Sequence, residues 1–374
     1  MTEQENLSLL SQSSVSKGLM HIAKKVFNSE RISEKEALSL FKEAGLGFLG
    51  ILANYIREKK NKNYTYYIRN LHIEPTNKCI HDCKFCSYSE RNAGHGWEYS
   101  PDEIIEIVKK SDANIREIHI VGGVHPKRDL FYYGNIIRRI KEIRPNIHIK
   151  AFSAVELDYM IKLSGMTLLE GLKELKNYGL NSIPGGGAEI FNEKLRNKIC
   201  KSKSDSKRWL EIHEVAHSLS IPSNATILYG HLENYSDRID HLNRLRNLQD
   251  KTSLFNAFIP LKFKNSNNEM SNISEVSAIE DLKNYAVSRI YLDNFPHIKA
   301  YWPMIGRELS QISLSFGVDD FDGTINDSTK IYSLAGAEDK NPSLNTDELK
   351  TLIKQAGRIP VERDALYNSV DNKK

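Results

Sequence analysis

Three of the four cysteines lie close together in the chain, at Cys79, Cys83 and Cys86. Thiolates gathered in one short segment favour a soft metal, either zinc or an iron–sulfur cluster. A structural zinc site needs a fourth Cys or His ligand, and His81 lies within the segment. An electron-transfer cluster normally takes four cysteines, but Cys200 lies far along the chain and is predicted to be a buried thiol. Three thiolates on a four-iron cluster leave one iron open to a substrate, which indicates a site for chemistry.

A larger scaffold must position these cysteines, and the chain around them alternates short β-rich runs with helical runs. The predicted strands are residues 71–74, 117–121, 147–152, 181–183, 225–229, 254–259, 299–301 and 313–316. The predicted helices that separate most of them are residues 101–110, 134–143, 167–178, 209–219, 236–249 and 276–288. Eight strands alternating with helices over about 250 residues predict an α/β fold, a (β/α)8 barrel of the TIM type. An open, doubly wound sheet is the alternative, because periodicity does not reveal whether a sheet closes.

Three segments are predicted along the chain. Residues 1–62 form an N-terminal helical extension, in which Ser33 and Glu36 make a capping box. Residues 63–338 form the barrel. Residues 339–374 form a polar C-terminal tail that contains one helix, at 346–355, and a charged end that we expect to be mobile.

Composition narrows the classes of partner. The chain has 374 residues and a formal net charge of +4, an excess too small to indicate nucleic-acid binding. The longest apolar stretch, residues 46–56, is too short to span a membrane, and the N-terminus has no secretion signal. Cysteines suited to a reduced metal site indicate the cytoplasm, where thiols stay reduced. We therefore expect no nucleic-acid partner and no membrane partner.

Glycines follow the second predicted strand, at the end of the barrel where active sites form. Gly122 and Gly123 could mark a plain turn, or they could let the backbone approach a ligand closely. His125, two residues further on, could be a proton donor or another turn residue.

Polar residues also follow three later strands. Glu189 comes after three glycines and could bond a ribose or a substrate hydroxyl. Tyr229, His231 and Glu233 lie at the end of the fifth strand, where they could supply a proton donor, a base and an orienting acid. Asp320 follows the last predicted strand, which would place its carboxylate near the mouth, although an acidic turn is equally compatible.

The Cys-x3-Cys-x2-Cys spacing, with aromatic Phe85 before the last cysteine, resembles the cluster loop of the radical S-adenosylmethionine (SAM) enzymes. This resemblance implies that Cys79, Cys83 and Cys86 hold a [4Fe–4S] cluster whose open iron binds SAM. Reduction of SAM then gives methionine and a 5′-deoxyadenosyl radical. A strand directly before the cysteines is where a barrel enzyme would carry such a loop.

The same resemblance implies a set of SAM contacts. Gly122 and Gly123 correspond to the glycine-rich segment that contacts the SAM amino group in this superfamily. Ser153 and Glu156 resemble the polar positions that contact the ribose or the methionine moiety of SAM. A solvated helix start would also explain Glu156, because acids are favoured in a first turn.

Several strings together resemble the aminofutalosine synthase family. Its relatives are the dehypoxanthine futalosine cyclases and the radical SAM half of the F0 synthases. The strings that carry the resemblance are HIEPTN (72–77), SY (87–88), GGVHP (122–126), GGAEI (186–190), YGHLE (229–233) and DDFDGT (319–324).

Membership of this family implies an unusual reaction in menaquinone biosynthesis. The radical would add to the enol-ether double bond of 3-[(1-carboxyvinyl)oxy]benzoate, and rearrangement with loss of a carboxylate would give 6-amino-6-deoxyfutalosine. SAM would be a consumed co-substrate, and a flavodoxin or ferredoxin would supply the electron. The alternatives are the cyclase, which would abstract hydrogen and close a ring, and a non-enzymatic iron–sulfur or zinc protein.

The substrate of that reaction carries two carboxylates, each of which needs a cation. Arg91 and Arg307 are the candidates, because a planar guanidinium pairs bidentately with a carboxylate. A surface ion pair would explain either arginine as well. Glu189, Tyr229 and His231 are expected to contact the substrate.

The cysteine assignment can be tested directly. We expect Cys83→Ala to abolish the broad visible absorption of the reconstituted protein and all turnover, because one ligand of the cluster is lost. Cys200→Ala should keep both. The assignment is wrong if Cys200→Ala loses the absorption and Cys83→Ala retains it.

Overall fold

The computed structural model describes residues 5, 8–10, 15–326, 330–337 and 342–370. The predicted boundary between barrel and tail, at 338/339, lies outside these residues, as do residues 371–374. The strands are β1 Tyr64–Ile68, β2 Asn70–Ile73, β3 Glu117–Ile120, β4 His148–Ala151, β5 Ser223–Tyr229, β6 Phe255–Lys262, β7 His297–Ile298, β8 Asp320–Gly323, β9 Ile325–Asn326, β10 Ser343–Leu344 and β11 Ile359–Glu362.

Helices precede, separate and follow these strands. They are α1 Lys17–Phe27, α2 Glu34–Glu43, α3 Leu46–Asn61, α4 Glu90–Ala93, α5 Pro101–Lys110, α6 Leu130–Ile143, α7 Ala154–Leu163, α8 Leu168–Tyr178, α9 Glu193–Ile199, α10 Ser206–Ser218, α11 Tyr235–Thr252, α12 Ala278–Tyr291, α13 Trp302–Ile305, α14 Arg307–Ser313, α15 Ile331–Leu334 and α16 Thr346–Gln355. None of them is long and apolar enough to cross a membrane, as far as the described residues extend.

Parallel pairings connect the strands in chain order. β2 pairs with β3 and β3 with β4, while β5 pairs with β6 and β6 with β7. β8 pairs with β1, which runs through Arg69 into β2. Isolated parallel bridges join the separate sheets, between Lys150 and Ser182, Ile183 and Ser223, and Lys299 and Asp320. The predicted α/β barrel of the TIM type is confirmed. The strand predicted at residues 181–183 consists only of the isolated bridges at residues 182 and 183.

The central strands are covered on both faces, as parallel strands in such folds are. All seven residues of β5 are buried. Asn224, Thr226 and Leu228 line a cavity inside the barrel, and because successive side chains alternate, Tyr229 points the other way. This alternation decides which strand residues can reach a ligand.

The prediction for the last strand is wrong. Residues 307–313 form α14, and the chain turns through Leu314 before the strand begins at Asp320. The short run at 313–316 alternates apolar and polar residues, but four residues cannot distinguish a strand from the end of a helix. The true strand, Asp320–Gly323, carries two acidic residues that are buried by pairing with distant cations.

The N-terminal segment contains α1, α2 and α3 among its described residues. α3 packs against α12, and its Leu49, Leu52 and Ala53 are fully buried. At the end of α3, the buried Arg57 donates hydrogen bonds to the carbonyls of Tyr64 and Val318. The helices therefore fix the start of β1 and the approach to β8. The division of the chain into three domains stays a prediction.

The C-terminal segment packs against the barrel. β11 pairs in parallel with β1, and the buried Arg363 donates to Asp320 at 2.8 Å. Tyr367 also donates to Asp320, and its ring stacks on His297 with 3.6 Å between the ring centres. These contacts close the amino-terminal end of the barrel, so the expectation of a mobile end does not apply to residues 359–370.

The ion pair of Arg363 provides a test of this closure. We expect Arg363→Met to lower the free energy of unfolding by about 3–5 kcal/mol, because it leaves Asp320 buried without its cation. Arg139→Met is the control, because Arg139 pairs with an Asp102 side chain that is 85% exposed; it should cost no more than about 1 kcal/mol. Chemical denaturation measures both, and equal losses would contradict a structural role for Arg363.

Candidate active site

A cavity of about 290 Å³ opens at the carboxyl ends of the barrel strands. The residues predicted from sequence that line it are Cys79, Cys83, Cys86, Phe85, Gly122, Gly123, Ser153, Glu156 and Glu189. The structure therefore brings the three cysteines and Phe85 of the cluster loop together with all four predicted SAM-contact residues and with Glu189.

The cysteine loop (residues 77–86) is held by hydrogen bonds at its start. The Asn77 side chain accepts from the Trp97 N–H and donates to the His95 carbonyl, both at 2.9 Å. The Ile80 N–H donates to the Val124 carbonyl at 3.0 Å, and the Val124 N–H approaches the Cys79 sulfur at 3.4 Å. The loop thus lies directly on the segment that follows β3.

Gly122 and Gly123 permit this contact. A Cβ on Gly122 would lie 2.8 Å from the Thr76 carbonyl oxygen, and one on Gly123 would lie 2.3 Å from the Lys78 carbonyl oxygen. The Gly123 N–H donates to the Thr76 carbonyl at 2.7 Å. Both glycines line the cavity, but the close approach that requires them is to the chain itself. Their predicted contact with SAM stays a prediction.

Glu156 joins two strand ends. Ser153 caps α7 in a capping box with Glu156, whose other carboxylate oxygen accepts from the Gly122 N–H at 3.0 Å. The residue is 6% exposed, so the alternative of a solvated helix start is wrong. Burial raises the pKa of Glu156 to about 7, against the opposing effect of the hydrogen bonds from Ser153 and Gly122.

Lys203 is a cavity residue that the sequence analysis missed. Its Nζ lies 2.6 Å from Glu189 and 5.1 Å from the centre of the Phe85 ring. Burial acts to lower the pKa of Lys203, but Cys83 and Glu189 outweigh it and hold the pKa well above its usual value. A charged side chain thus lies between Glu189 and the cysteine loop. Lys203 is in an irregular segment after α9, where no strand pattern marks it.

The predicted catalytic residues at the end of β5 are not in the cavity lining. The Tyr229 hydroxyl is buried and donates to Asp281 at 2.7 Å. The ring of His231 lies 3.1 Å from the Leu228 carbonyl and beside Glu233. The alternation along β5 turns Tyr229 away from the barrel interior, and neither side chain lines the cavity. The catalytic role of Tyr229 and His231 stays a prediction.

His125 and Asp320 are also placed elsewhere. His125 lies 3.3 Å from Glu98, away from the cavity lining. Asp320 begins β8 instead of following the last strand, so it lies at the closed end of the barrel beside Arg363. Asp322, two residues on, lines the cavity in its place.

Neither predicted arginine lines the cavity. Arg91 forms an ion pair with Glu269 in which both side chains are about half exposed, at 49% and 48%. Arg307 donates to the Ser343 carbonyl at the surface. The cations of the cavity are lysines, with Lys150, Lys262 and Lys299 on or next to strands. The alternation of side chains along a strand could have identified Lys150 and Lys299 from the sequence, because the residues on either side of each lysine belong to the apolar core.

The donor set fits an iron–sulfur cluster better than zinc. In the parts of the chain that the structure describes, no three Cys, His, Asp or Glu side chains are grouped to hold a single metal ion. A zinc site completed by His81 is therefore not preformed, whereas in a four-iron cluster each cysteine can bind its own iron. Burial raises the pKa of the Cys83 thiol, so its thiolate form needs the positive charge that iron or Lys203 supplies.

Comparison with known proteins agrees with this site. A family described as the radical SAM superfamily matches residues 73–245, and the CofH/MqnC C-terminal region matches residues 252–374. The aminodeoxyfutalosine synthase of Thermus thermophilus is 43% identical, covering 94% of this chain and 96% of that protein. The 5-amino-6-(D-ribitylamino)uracil–L-tyrosine 4-hydroxyphenyl transferase of Archaeoglobus fulgidus is 38% identical, covering 86% and 93%.

More distant likenesses extend the comparison. The cyclic dehypoxanthine futalosine synthase of Streptomyces coelicolor is 34% identical, covering 90% of this chain and 85% of that protein. The crystal structure of methylornithine synthase (PylB) has a TM-score of 0.72 at 16% identity, covering 91% of this chain and 97% of that one. The latter likeness is one of fold.

The glycine contact yields a prediction for the site. We expect Gly123→Ala to lower the iron content and visible absorption of the reconstituted protein, because the added methyl group displaces Lys78 and the cysteine loop. The strain should cost about 1–3 kcal/mol of folding stability. Gly47→Ala is the matched control, since a Cβ there meets no atom within 4 Å. Full iron content in Gly123→Ala would show that the loop does not depend on this contact.

Proposed function

Because this chain belongs to the radical SAM superfamily, in the group that carries the CofH/MqnC C-terminal region, we propose that it makes 6-amino-6-deoxyfutalosine from SAM and 3-[(1-carboxyvinyl)oxy]benzoate. The observation that carries the proposal is the 43% identity to an aminodeoxyfutalosine synthase over 94% of the chain. Identity to the cyclic dehypoxanthine futalosine synthase is lower, at 34%.

The chain uses a [4Fe–4S] cluster and SAM, as its superfamily does. The bound cluster supplies the electron that cleaves SAM to methionine and the 5′-deoxyadenosyl radical. Cys79, Cys83 and Cys86 hold the cluster at one end of the cavity. In this proposal Glu156 and the neighbouring glycines fix the backbone against which SAM is bound, and Glu189 contacts its ribose or the substrate.

The reaction joins the adenosyl carbon to the terminal vinyl carbon of the substrate. The aromatic ring then shifts from the ether oxygen to the adjacent carbon, and the carboxyl group of the vinyl unit leaves as CO2 or bicarbonate. The carboxylate leaves with the unpaired electron, which would return to the cluster as CO2 forms, so the overall reaction consumes no net reductant. A flavodoxin or ferredoxin would supply the first electron.

The barrel wall provides the conditions that a radical addition needs. Ile259, Leu261 and Met304 line the cavity with apolar surface, which keeps water from the radical. The amino-terminal end of the barrel is closed, so water cannot enter the cavity from that end. The olefin can therefore be held near van der Waals distance of the radical carbon, where the gain from positioning is large.

The fate of the adenosyl group tests this function. With SAM labelled in the adenosyl group, we expect the label in a product that also contains the benzoate ring, released with methionine and CO2 or bicarbonate. Mass spectrometry of the products measures this, and protein with Cys83→Ala is the blank. Label found only in 5′-deoxyadenosine, with dehypoxanthine futalosine or tyrosine consumed, would assign the chain to the chemistry of its other relatives.

A further inference from the structure

Two buried ion pairs line the cavity below the cysteine loop. Lys150 lies 2.7 Å from Glu117, and Lys299 lies 2.7 Å from Asp322. Each of the four side chains is at most 6% exposed, and all four line the cavity. We call these four residues the lysine floor.

The lysine floor has hydrogen-bond donors without acceptors. An ammonium group has three N–H donors, but within the described residues each of the two lysines meets one carboxylate and no further acceptor. His119 also lines the cavity, and its buried Nε2 has no partner there. Because buried polar groups in proteins are nearly always hydrogen-bonded, the floor is suited to a ligand that supplies acceptors.

The two ammonium groups are close enough to repel each other. Burial lowers the pKa of Lys150, Glu117 raises it in part, and the charge of Lys299 lowers it further. Burial also holds the pKa of His119 well below its usual value, so this ring is neutral and retains one N–H. An anionic group between the lysines would relieve their repulsion and accept from their remaining donors.

We propose that the lysine floor binds the ring carboxylate of the substrate, with Lys150 and Lys299 as donors. The identity of that substrate rests on the proposed function. The vinyl group must lie near the cysteines, where the radical forms, so the benzoate end points towards the floor. Ile259 and Leu261 line the wall that the aromatic ring would contact.

The charges of the floor sum to zero, so recognition depends on direct donors rather than on an excess of positive charge. The lysines could instead donate to a hydroxyl of the ligand. In that case the protein would show no preference between a substrate that has the ring carboxylate and one that lacks it. The ratio of kcat/KM for these two compounds therefore reports on the proposal, while a loss of folding alone does not change it.

The experiment compares 3-[(1-carboxyvinyl)oxy]benzoate with 2-phenoxyacrylate, which lacks only the ring carboxylate. Two double variants remove a lysine together with its partner, so no buried charge is left alone. They are Lys299→Met with Asp322→Asn, and Lys150→Met with Glu117→Gln. Lys251→Met is the control, because Lys251 forms a surface ion pair with Glu214. Cluster absorption and equilibrium binding of SAM are measured on every variant.

The wild-type protein should prefer the benzoate by about 10- to 100-fold in kcat/KM, the range for hydrogen bonds to a charged group. In both double variants the ratio should fall towards one, with cluster absorption and SAM binding retained, while Lys251→Met keeps the wild-type ratio. An unchanged ratio in a folded double variant, or no preference in the wild-type protein, overturns the carboxylate site alone. A wild-type protein that turns over neither compound overturns the proposed function as well.

Discussion

The site depends on one close contact between two stretches of backbone. A side chain at Gly123 would overlap the Lys78 carbonyl. The absence of a side chain therefore lets the backbone after β3 pack directly against the cysteine loop. Glu156 then ties the same backbone to the start of α7 through the Gly122 N–H. Three strand ends are therefore joined before any ligand binds, which gives the thiols and the SAM-contact residues one rigid support.

The parts of this arrangement that depend on local sequence could be predicted from sequence alone. The three cysteines, the glycine pair after β3, and Ser153 with Glu156 are each defined by residues that lie within a few positions of one another in the chain. The structure places all of them in the cavity lining. The barrel followed from the alternation of strands and helices. These patterns are visible because neighbouring residues in the chain determine them.

The remaining features of the site depend on which face of a strand a residue occupies and on partners that lie far away in the sequence. The sequence predicts Tyr229 at the catalytic rim, but Leu228 occupies the inward position of β5, so Tyr229 donates a hydrogen bond to Asp281 on the outer side. β8 was missed because its acidic residues look exposed, whereas Asp320 is neutralised by Arg363. The lysines of the cavity were missed for the same reason. A single sequence does not show that a charged residue has a buried partner tens of residues away.

The pairing of β1 on both sides has a consequence for biosynthesis. β1 is the first strand to leave the ribosome, yet one of its neighbours is β8 and the other is β11, about three hundred residues later. Asp320 stays without its cation until Arg363 has been translated. The sheet around β1 therefore cannot be completed until β11 has been translated, and the unpaired edges of β1 are open to non-native strand pairing until then.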